Sequence, residues 1–526
     1  MVIYKDAPGI WKEYQEGRAY NEAMDLYDTV EKNENFYTGK QWEGVNAPDL
    51  EKPVLNFLKR VVSYLIATVV SDDVAASLTP QRQDPQSALA AKVLSSELGR
   101  IMEQAKLTSL NRDLVRNTAV DGDGCYYLYF DPTVEMGQEA KGDIRIELTE
   151  NTRILFGNPY QAEVQKQPYI LLVLRNRLET VREEAKRRGV KEIDSIRPDS
   201  GEAMDKEADG KLVTVLIKLW KDEKSGTIHF TRSTQDVLLQ PETDTGYRLY
   251  PVAYWNWERV KNSYRGQAAI TGLIPNQIFV NKLWAMAMEH QKKLAFPKLF
   301  YDATKIDQWT NKVGQAIKVR GNPNEAVAAT FRAGDMSAQV LELVDRTIRY
   351  TKEFMGATDA ALGSVRPDNT SAIIALQQAN AVPLQLQKLG FYQFIEDAIR
   401  VMLEMMRVDF GSRYIFLPNE EGIQEEILYD FSQVDLDAMQ LRVDVGASAY
   451  WSQLTQMQTM DNLFAKGIIT DAITYLEGVP DEYVKGKNQI IAKLKAQQAE
   501  KEMNGEAAQG GESVGEVPTL PDTAAY

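Results

Sequence analysis

Cysteine and histidine are scarce in this chain. Cys125 is the single cysteine among 526 residues, so no disulfide can form within the chain, and a reducing compartment fits that composition. His229 and His290 are the two histidines, and neither has another histidine or a cysteine close by in the sequence. The sequence therefore predicts no zinc site and no Ser–His nucleophile. We expect a non-enzymatic protein without a metal ion or a cofactor.

Long apolar runs are absent as well. The longest near-continuous run, Val61–Val70, lies between Arg60 and Asp72 and is far shorter than the ~18 residues that a bilayer span needs. It predicts a buried helix. The first residues carry charges where a signal peptide has its apolar segment, so we expect synthesis in a cytoplasm and no membrane partner. With 44% hydrophobic and 26% charged residues, the composition is that of a folded globular protein.

Positive charge is in deficit. Lys and Arg number 60 against 75 Asp and Glu, which gives a formal net charge of -15. Proteins that hold duplex DNA gain affinity through Lys and Arg contacts to phosphate and usually have a basic surface. Two interpretations of the acidic balance are open: it keeps the protein soluble, or it repels phosphate where DNA passes.

Several short motifs begin like known sites and differ from them in detail. Asp121-Gly-Asp-Gly124 starts like a calcium loop, but Cys125 occupies a ligand position and no glutamate stands at the twelfth position. Gly39-Lys-Gln41 lacks the Ser or Thr and the upstream glycine of a phosphate-binding loop. The pairs Glu183-Glu184 and Asp72-Asp73 are adjacent in sequence, so their carboxylates diverge and predict solvated faces.

Hydrophobic periodicity predicts a helix-rich α+β fold. Helices are predicted over Pro8–Asn33, Asn56–Val70, Ala88–Arg116 and Thr180–Arg188, with a loop at Phe36–Trp42. Period-two segments predict one mixed or antiparallel sheet with strands at Cys125–Phe130, Ile144–Leu148, Tyr169–Leu174, Leu212–Trp220 and Thr227–Phe230. After Pro251 the pattern predicts a return to helix.

The second half of the chain predicts two amphipathic helices around an insertion. The first begins at Pro275 with an apolar stripe and stops near Pro297. Asp335 is expected to cap the second. The stripes are Val280, Leu283, Trp284, Ala287 and Leu294 in the first helix, and Val340, Leu341, Val344, Ile348 and Met355 in the second. The insertion between them is expected to turn at Gly321–Asn324.

Beyond these helices the sequence predicts a loop and one long helix. The loop is Gly356–Asn369, and the helix runs from Thr370 to about Phe410 with a kink at Pro383. A short sheet element at Tyr414–Leu417 and Leu441–Val445 and terminal helices follow. Residues 503–526 have the Gly, Glu and Pro bias of a disordered tail.

The succession of motifs resembles the portal proteins of tailed bacteriophages. The motifs are Phe36–Trp42 with Pro53 and Asn56, Val120–Tyr127, Gly266 with Pro275–Gln277 and Asn281, and, near the end, Val443–Gly446, Ser448, Leu463, Gly467–Ile469 and Tyr475-Leu476. The resemblance implies a portal fold, with wing, stem, clip and crown regions around a central channel. It divides the chain into wing (1–264), first stem helix (265–294), clip (295–334), second stem helix (335–355), tunnel loop (356–369), kinked helix and return to the wing (370–449), crown helices (450–502) and tail (503–526).

The resemblance also implies function and partners. Such proteins form a ring, usually a dodecamer, at the capsid vertex of the virion. Double-stranded DNA passes through the ring without sequence preference during packaging by the terminase large subunit and during ejection. The major capsid protein, the scaffold and head-completion or tail adaptor proteins are further expected partners. The tunnel loop would place Ser364, Arg366, Asp368 and Asn369 at the DNA, and Lys305, Lys312, Lys318 and Arg320 would form the docking surface of the clip.

Two other functions are compatible with the same sequence. Another oligomeric virion protein, a scaffold or a connector, would lack a helix-insertion-helix hairpin around a channel. A hydrolase acting through carboxylates would be a monomer or dimer with a pocket.

Overall fold

The computed structural model describes most of residues 3–445 and short stretches between 457 and 495. The gaps before residue 445 are 49, 71–73, 83, 200–211, 296–297, 309–315, 323, 325–327, 332–336, 338, 358–381 and 419–423. Contacts group the chain into two units, Met1–Val443 and Asp444–Tyr526. The first unit mixes helices and strands, as the α+β prediction requires.

The helices of the first unit are α1 (Ala7–Ala23), α2 (Leu26–Thr38), α3 (Phe57–Val69), α4 (Pro85–Gln104), α5 (Leu107–Asp121), α6 (Leu178–Arg187), α7 (Ile274–Ala295), α8 (Gln339–Phe354) and α9 (Gln385–Asp409). The predictions of α3 and α6 are confirmed, and the Asn56 side chain caps α3 by accepting a hydrogen bond from the Lys59 amide. No helix among the described residues is both long and apolar enough to cross a membrane.

Two predicted helices are each divided in the structure. Asp25 and Lys106 have the left-handed backbone conformation, with φ of 51° and 50°, which ends α1 and α4 and starts α2 and α5 in new directions. α2 then continues through Phe36, so the predicted loop begins only at Gly39. The hydrophobic period hides such breaks, because both helices of each pair bury apolar residues.

The strands form two main antiparallel sheets where the sequence predicted one. Their bounds, with those of the smaller ribbons, are β1 (Val74–Pro80), β2 (Asp123–Asp131), β3 (Asp143–Thr149), β4 (Ile154–Phe156), β5 (Tyr169–Arg177), β6 (Leu212–Lys221), β7 (Ile228–Ser233), β8 (Leu238–Asp244), β9 (Val252–Asn256), β10 (Glu258–Arg259), β11 (Gly266–Gln267), β12 (Lys298–Tyr301), β13 (Ala328–Phe331), β14 (Ser412–Pro418), β15 (Gln424–Asp430) and β16 (Met439–Val445). The sheet orders are β4-β5-β6-β7-β8 and β3-β2-β9. The helix predicted directly after Pro251 is wrong, because β9 lies there. β14 and β16 confirm two predicted strands but pair with β15 and β1 and not with each other.

α9 is the central helix of the largest core cluster. Phe391 and Phe394 are buried, and their rings contact Trp255 of β9 and Tyr126 of β2. Gly390 permits this close approach, because a Cβ atom there would lie 2.7 Å from Trp255 Nε1. Pro383 lies in a 3-10 turn at Val382–Leu384, and α9 begins directly after it, where a missing amide donor is tolerated. Residues 370–381 of the predicted helix lie outside the described part of the chain, so the kink at Pro383 stays a prediction.

α7 and α8 pack against each other and bracket the β12–β13 ribbon, as predicted for a helix-insertion-helix hairpin. The predicted cap Asp335 lies outside the described residues. The Ser337 hydroxyl accepts a hydrogen bond from the Gln339 amide at 3.3 Å, at the start of α8.

The second unit is described only in part. α10 (Ala472–Gly478) is capped by Asp471, whose carboxylate accepts hydrogen bonds from the amides of Ile473 and Thr474. Residues 460–465 are helical, and the Phe464 ring lies 4.7 Å from that of Tyr475. The predicted tail, residues 503–526, lies outside the described part of the chain.

Candidate functional site

Buried amide side chains hold the base of the α7–α8 hairpin, and they belong to motifs far apart in the sequence. Asn281 Nδ2 donates to Gln41 Oε1 at 2.6 Å, and Gln277 Nε2 donates to Asn281 Oδ1 at 2.9 Å. Gln277 also donates to the Leu55 carbonyl at 2.7 Å and accepts from the Leu58 amide at 3.3 Å. The first turns of α7 are thereby joined to the segment Lys40–Asn56, which we call the strap.

The strap is fixed at both of its ends. Gln41 Nε2 donates to the Phe36 carbonyl at 3.0 Å, and Asn56 Nδ2 donates to the Tyr37 carbonyl at 3.1 Å. Inside the strap, Trp42 Nε1 donates to the Pro53 carbonyl at 2.8 Å. The structure thus brings the first and third motifs of the sequence together around one helix start. The sequence order contained no sign of this pairing.

A second polar cluster fixes the motif Val120–Tyr127 beside Gly266. The buried Asp123 carboxylate accepts hydrogen bonds from Asn256 Nδ2 at 2.7 Å and from the Gly266 amide at 2.6 Å. It lies 3.6 Å from the buried guanidinium of Arg265. Burial raises the pKa of Asp123, and Arg265 opposes that shift. Asp123 therefore joins the start of β2 to Asn256 and to the segment Arg265-Gly266. This structural role explains why an aspartate stands in the loop that begins like a calcium site.

The seam between α7 and α8 has both apolar and polar contacts. Val280 and Val344 are buried, and Asn276 Nδ2 donates to Thr351 Oγ1 at 3.0 Å. Residues 276 and 351 are therefore level with each other on antiparallel helices. The predicted stripe of α8 is correct at Val344, but Leu341 is 41% exposed and lies at the edge of the seam.

Exposed apolar side chains lie on both helices, outside the contacts of the seam. They are Leu343, Tyr350 and Phe354 on α8, and Phe279 and Met286 on α7, and we call each group a stripe. Met286 is 63% exposed and Phe354 is 83% exposed. Spacings of four and seven residues place the members of each stripe on one helix face. The sequence prediction missed them, although that spacing was a signal that could have found them.

Three of the four predicted docking residues lie on one face of the insertion. Ile306 pairs with Val319 in an antiparallel bridge, and the Arg320 amide donates to the Lys305 carbonyl at 2.8 Å. Lys305, Lys318 and Arg320 alternate with the bridge residues and share the face opposite to theirs. Arg320 also pairs with Asp307 at 2.7 Å. Lys312, the fourth residue, lies outside the described part.

The tunnel-loop prediction falls almost wholly outside the described residues. Gly356 has φ of 69° and Ala357 is buried, so the chain leaves α8 through a left-handed residue. Ser364, Arg366, Asp368 and Asn369 are among the residues that the structure does not describe.

His229 has neighbours that the sequence did not indicate. Its Nδ1 lies 2.8 Å from Glu242 Oε1, and its Nε2 lies 3.3 Å from the exposed Ser225 Oγ. This order of groups resembles a catalytic triad. However, the amides of Lys224 and Ser225 both donate to the Asp222 carboxylate, so these two cannot stabilise an oxyanion. The arrangement closes a β-hairpin turn.

Within the described ranges, no group of three or more His, Cys, Asp or Glu side chains is placed to hold a metal ion. Comparison of the chain with protein-family models and with curated proteins found no match. Any assignment of a family or a function therefore rests on the sequence motifs and on the geometry of the hairpin.

Proposed function

We propose that the chain is the subunit of a phage portal ring, a non-enzymatic protein of the capsid vertex through which DNA is packaged and ejected. The supporting observation is that the α7–α8 hairpin exposes an apolar stripe on each of its two helices, which a single copy leaves uncovered. In this proposal, α7 and α8 are the stem, residues 295–334 are the clip, and the loop 356–369 with Arg366 meets the passing DNA.

A head-to-tail contact fits the ring that this proposal requires. The α8 stripe of one copy would pack on the α7 stripe of the next copy, and such a contact between unlike patches repeats around an axis and can close into a ring. A symmetric dimer, in contrast, uses the same patch on both subunits.

The two stripes match in height along the hairpin. At about 1.5 Å of rise per residue, Phe279 lies ~5 Å and Met286 ~15 Å along α7 from the level of Asn276 and Thr351. Leu343 of α8 lies ~12 Å from that same level, between those two heights. Full burial of an apolar side chain gives about 1.5–3 kcal/mol, so the five stripe residues of one contact contribute at most on the order of 7–15 kcal/mol, before association entropy is subtracted.

The acidic charge supports the same proposal. A channel that passes DNA quickly must bind it weakly, and each phosphate neutralised by Lys or Arg adds affinity. A formal charge of -15 gives a wall that repels phosphate if the acidic residues face the channel. The terminase, the capsid protein with its scaffold, and the head-completion proteins would bind on the outside of the ring.

The proposal is tested by light scattering and negative-stain imaging of the purified full-length chain. We expect rings with a central hole, and we expect Leu343→Asp to prevent their formation. Leu341→Asp is the matched control, because it makes the same change on the same helix at 41% exposure against 45% for Leu343, but outside the stripe. Monomers of the unmodified chain at every concentration, or rings that both variants form equally, would overturn the proposal.

A further inference from the structure

Charge is unevenly distributed along the chain. Residues 295–334 contain six Lys and Arg and three Asp and Glu, a net charge of +3, so all other residues together carry -18. Lys292 and Lys293 come directly before this segment, in the last turn of α7. The insertion is thus a basic segment of an otherwise acidic chain.

The described cations of the insertion converge on one surface. Lys305, Lys318 and Arg320 share a face. Asp307 pairs with Arg320. Hydrogen bonds in its own turn lower the pKa of Asp302, and the nearby Lys305 cation lowers it further. Three cations against two carboxylates leave this surface with a small net positive charge. Lys318 is exposed, and the Arg320 side chain is 67% exposed, so the charge is available to a partner.

The insertion also exposes aromatic side chains. Phe300 of β12 is 61% exposed and Tyr301 is 38% exposed. Exposed aromatic residues and cations in one segment are typical of protein interfaces, where aromatics and Arg are enriched and serve as anchors.

We infer that this insertion docks on an acidic protein surface, with Phe300 as its apolar anchor. The inference deepens the proposed function, on which it rests, by assigning the chemistry of the partner that binds the clip. A protein partner is favoured over duplex DNA, because an apolar pocket can cover Phe300 whereas an intact base stack cannot. The charge difference would speed association and make it salt-dependent.

The test uses the full-length protein and a labelled peptide that alternates glutamate with leucine, measured by fluorescence anisotropy at low and at high salt. We expect binding that weakens with salt, and a loss of about tenfold in affinity for Lys318→Glu and separately for Phe300→Ser. Lys186→Glu is the matched control, because it reverses an exposed lysine on α6 and is expected to change affinity less than twofold.

A peptide with lysine in place of glutamate and a labelled DNA duplex complete the experiment. If the lysine peptide binds as well as the glutamate peptide, or if Lys186→Glu weakens binding as much as Lys318→Glu, the inference is wrong. If the duplex binds more tightly and Lys318→Glu affects only the duplex, the surface is a nucleic-acid site instead. Light scattering on the same samples separates the two proposals, since intact rings that do not bind the glutamate peptide contradict only this inference.

Discussion

Replacing Asn281 by leucine removes the centre of the amide cluster that joins α7 to the strap. Leucine has nearly the shape of asparagine, so the change is mainly one of polarity. Gln41 Oε1 would lose its donor at 2.6 Å, and Gln277 Nε2 would lose one of its two acceptors. Gln41, Gln277 and Asn281 are all buried, and water cannot replace the lost partners without entering the core.

The expected cost follows from the two hydrogen bonds that are lost, which leave Gln41 Oε1 and one N–H of Gln277 without a partner. Each buried donor or acceptor that loses its partner costs about 1–3 kcal/mol, so the two together cost on the order of 2–6 kcal/mol. Asn276→Ala is the matched control at the seam. Its amide makes one half-buried hydrogen bond to Thr351, and its loss costs about 0.5–1.5 kcal/mol.

Urea unfolding measures the total cost, and hydrogen exchange shows where it falls. We expect Asn281→Leu to lower the unfolding free energy by more than Asn276→Ala does, with faster exchange concentrated in the strap and the first turns of α7. Equal losses for the two variants, or faster exchange spread evenly over the unit, would refute the assignment of these amides as the anchor of the hairpin.

Two further predictions concern buried charges. Lys218 is fully buried and donates to Glu13 at 2.5 Å, so Lys218→Met leaves an unpaired buried carboxylate. We expect Lys218→Met to lower the free energy of unfolding in urea by about 3–5 kcal/mol, and the added Glu13→Gln to recover most of that loss. A double variant that recovers nothing would contradict the pairing. Burial raises the pKa of Asp121 from 3.8 in the unfolded chain to about 7 in the folded protein. The folded protein therefore favours the protonated carboxyl, and this contribution to stability is fully present below pH 3.8 and is lost as the pH rises through 7. Asp121→Asn should therefore stabilise the protein at pH 8 more than at pH 4, and an equal effect at both pH values in thermal unfolding would show that Asp121 is not perturbed.

The sequence predicted elements where one period held over a whole segment. α3 has apolar residues on one face and a capping Asn56, and both of its ends were predicted to within one residue. The breaks at Asp25 and Lys106 were not predicted, since a single left-handed residue changes the helix direction without changing the hydrophobic pattern on either side. β9 was missed because its five residues, two of them aromatic, are too few to establish a period.

The candidate site was predictable in part for similar reasons. The seam stripe of α8 follows from its spacing. The resemblance assigned Lys305, Lys318 and Arg320 to the docking surface of the clip. Pairing between Gln41 and Asn281 was not predictable, because it joins residues 240 apart and depends on how three elements pack. The outward stripes were overlooked because a helix is usually assigned one apolar face.

The amide cluster at the base of α7 also determines how the hairpin would respond to a pull. α7 has 22 residues, so it is a lever of about 33 Å whose far end joins the insertion. Gln277 and Asn281 lie one turn apart and make three hydrogen bonds to the strap and the start of α3. A force along the helix axis would shear these bonds together and not one after another. The joint would therefore resist axial load up to a threshold and then yield in a single step.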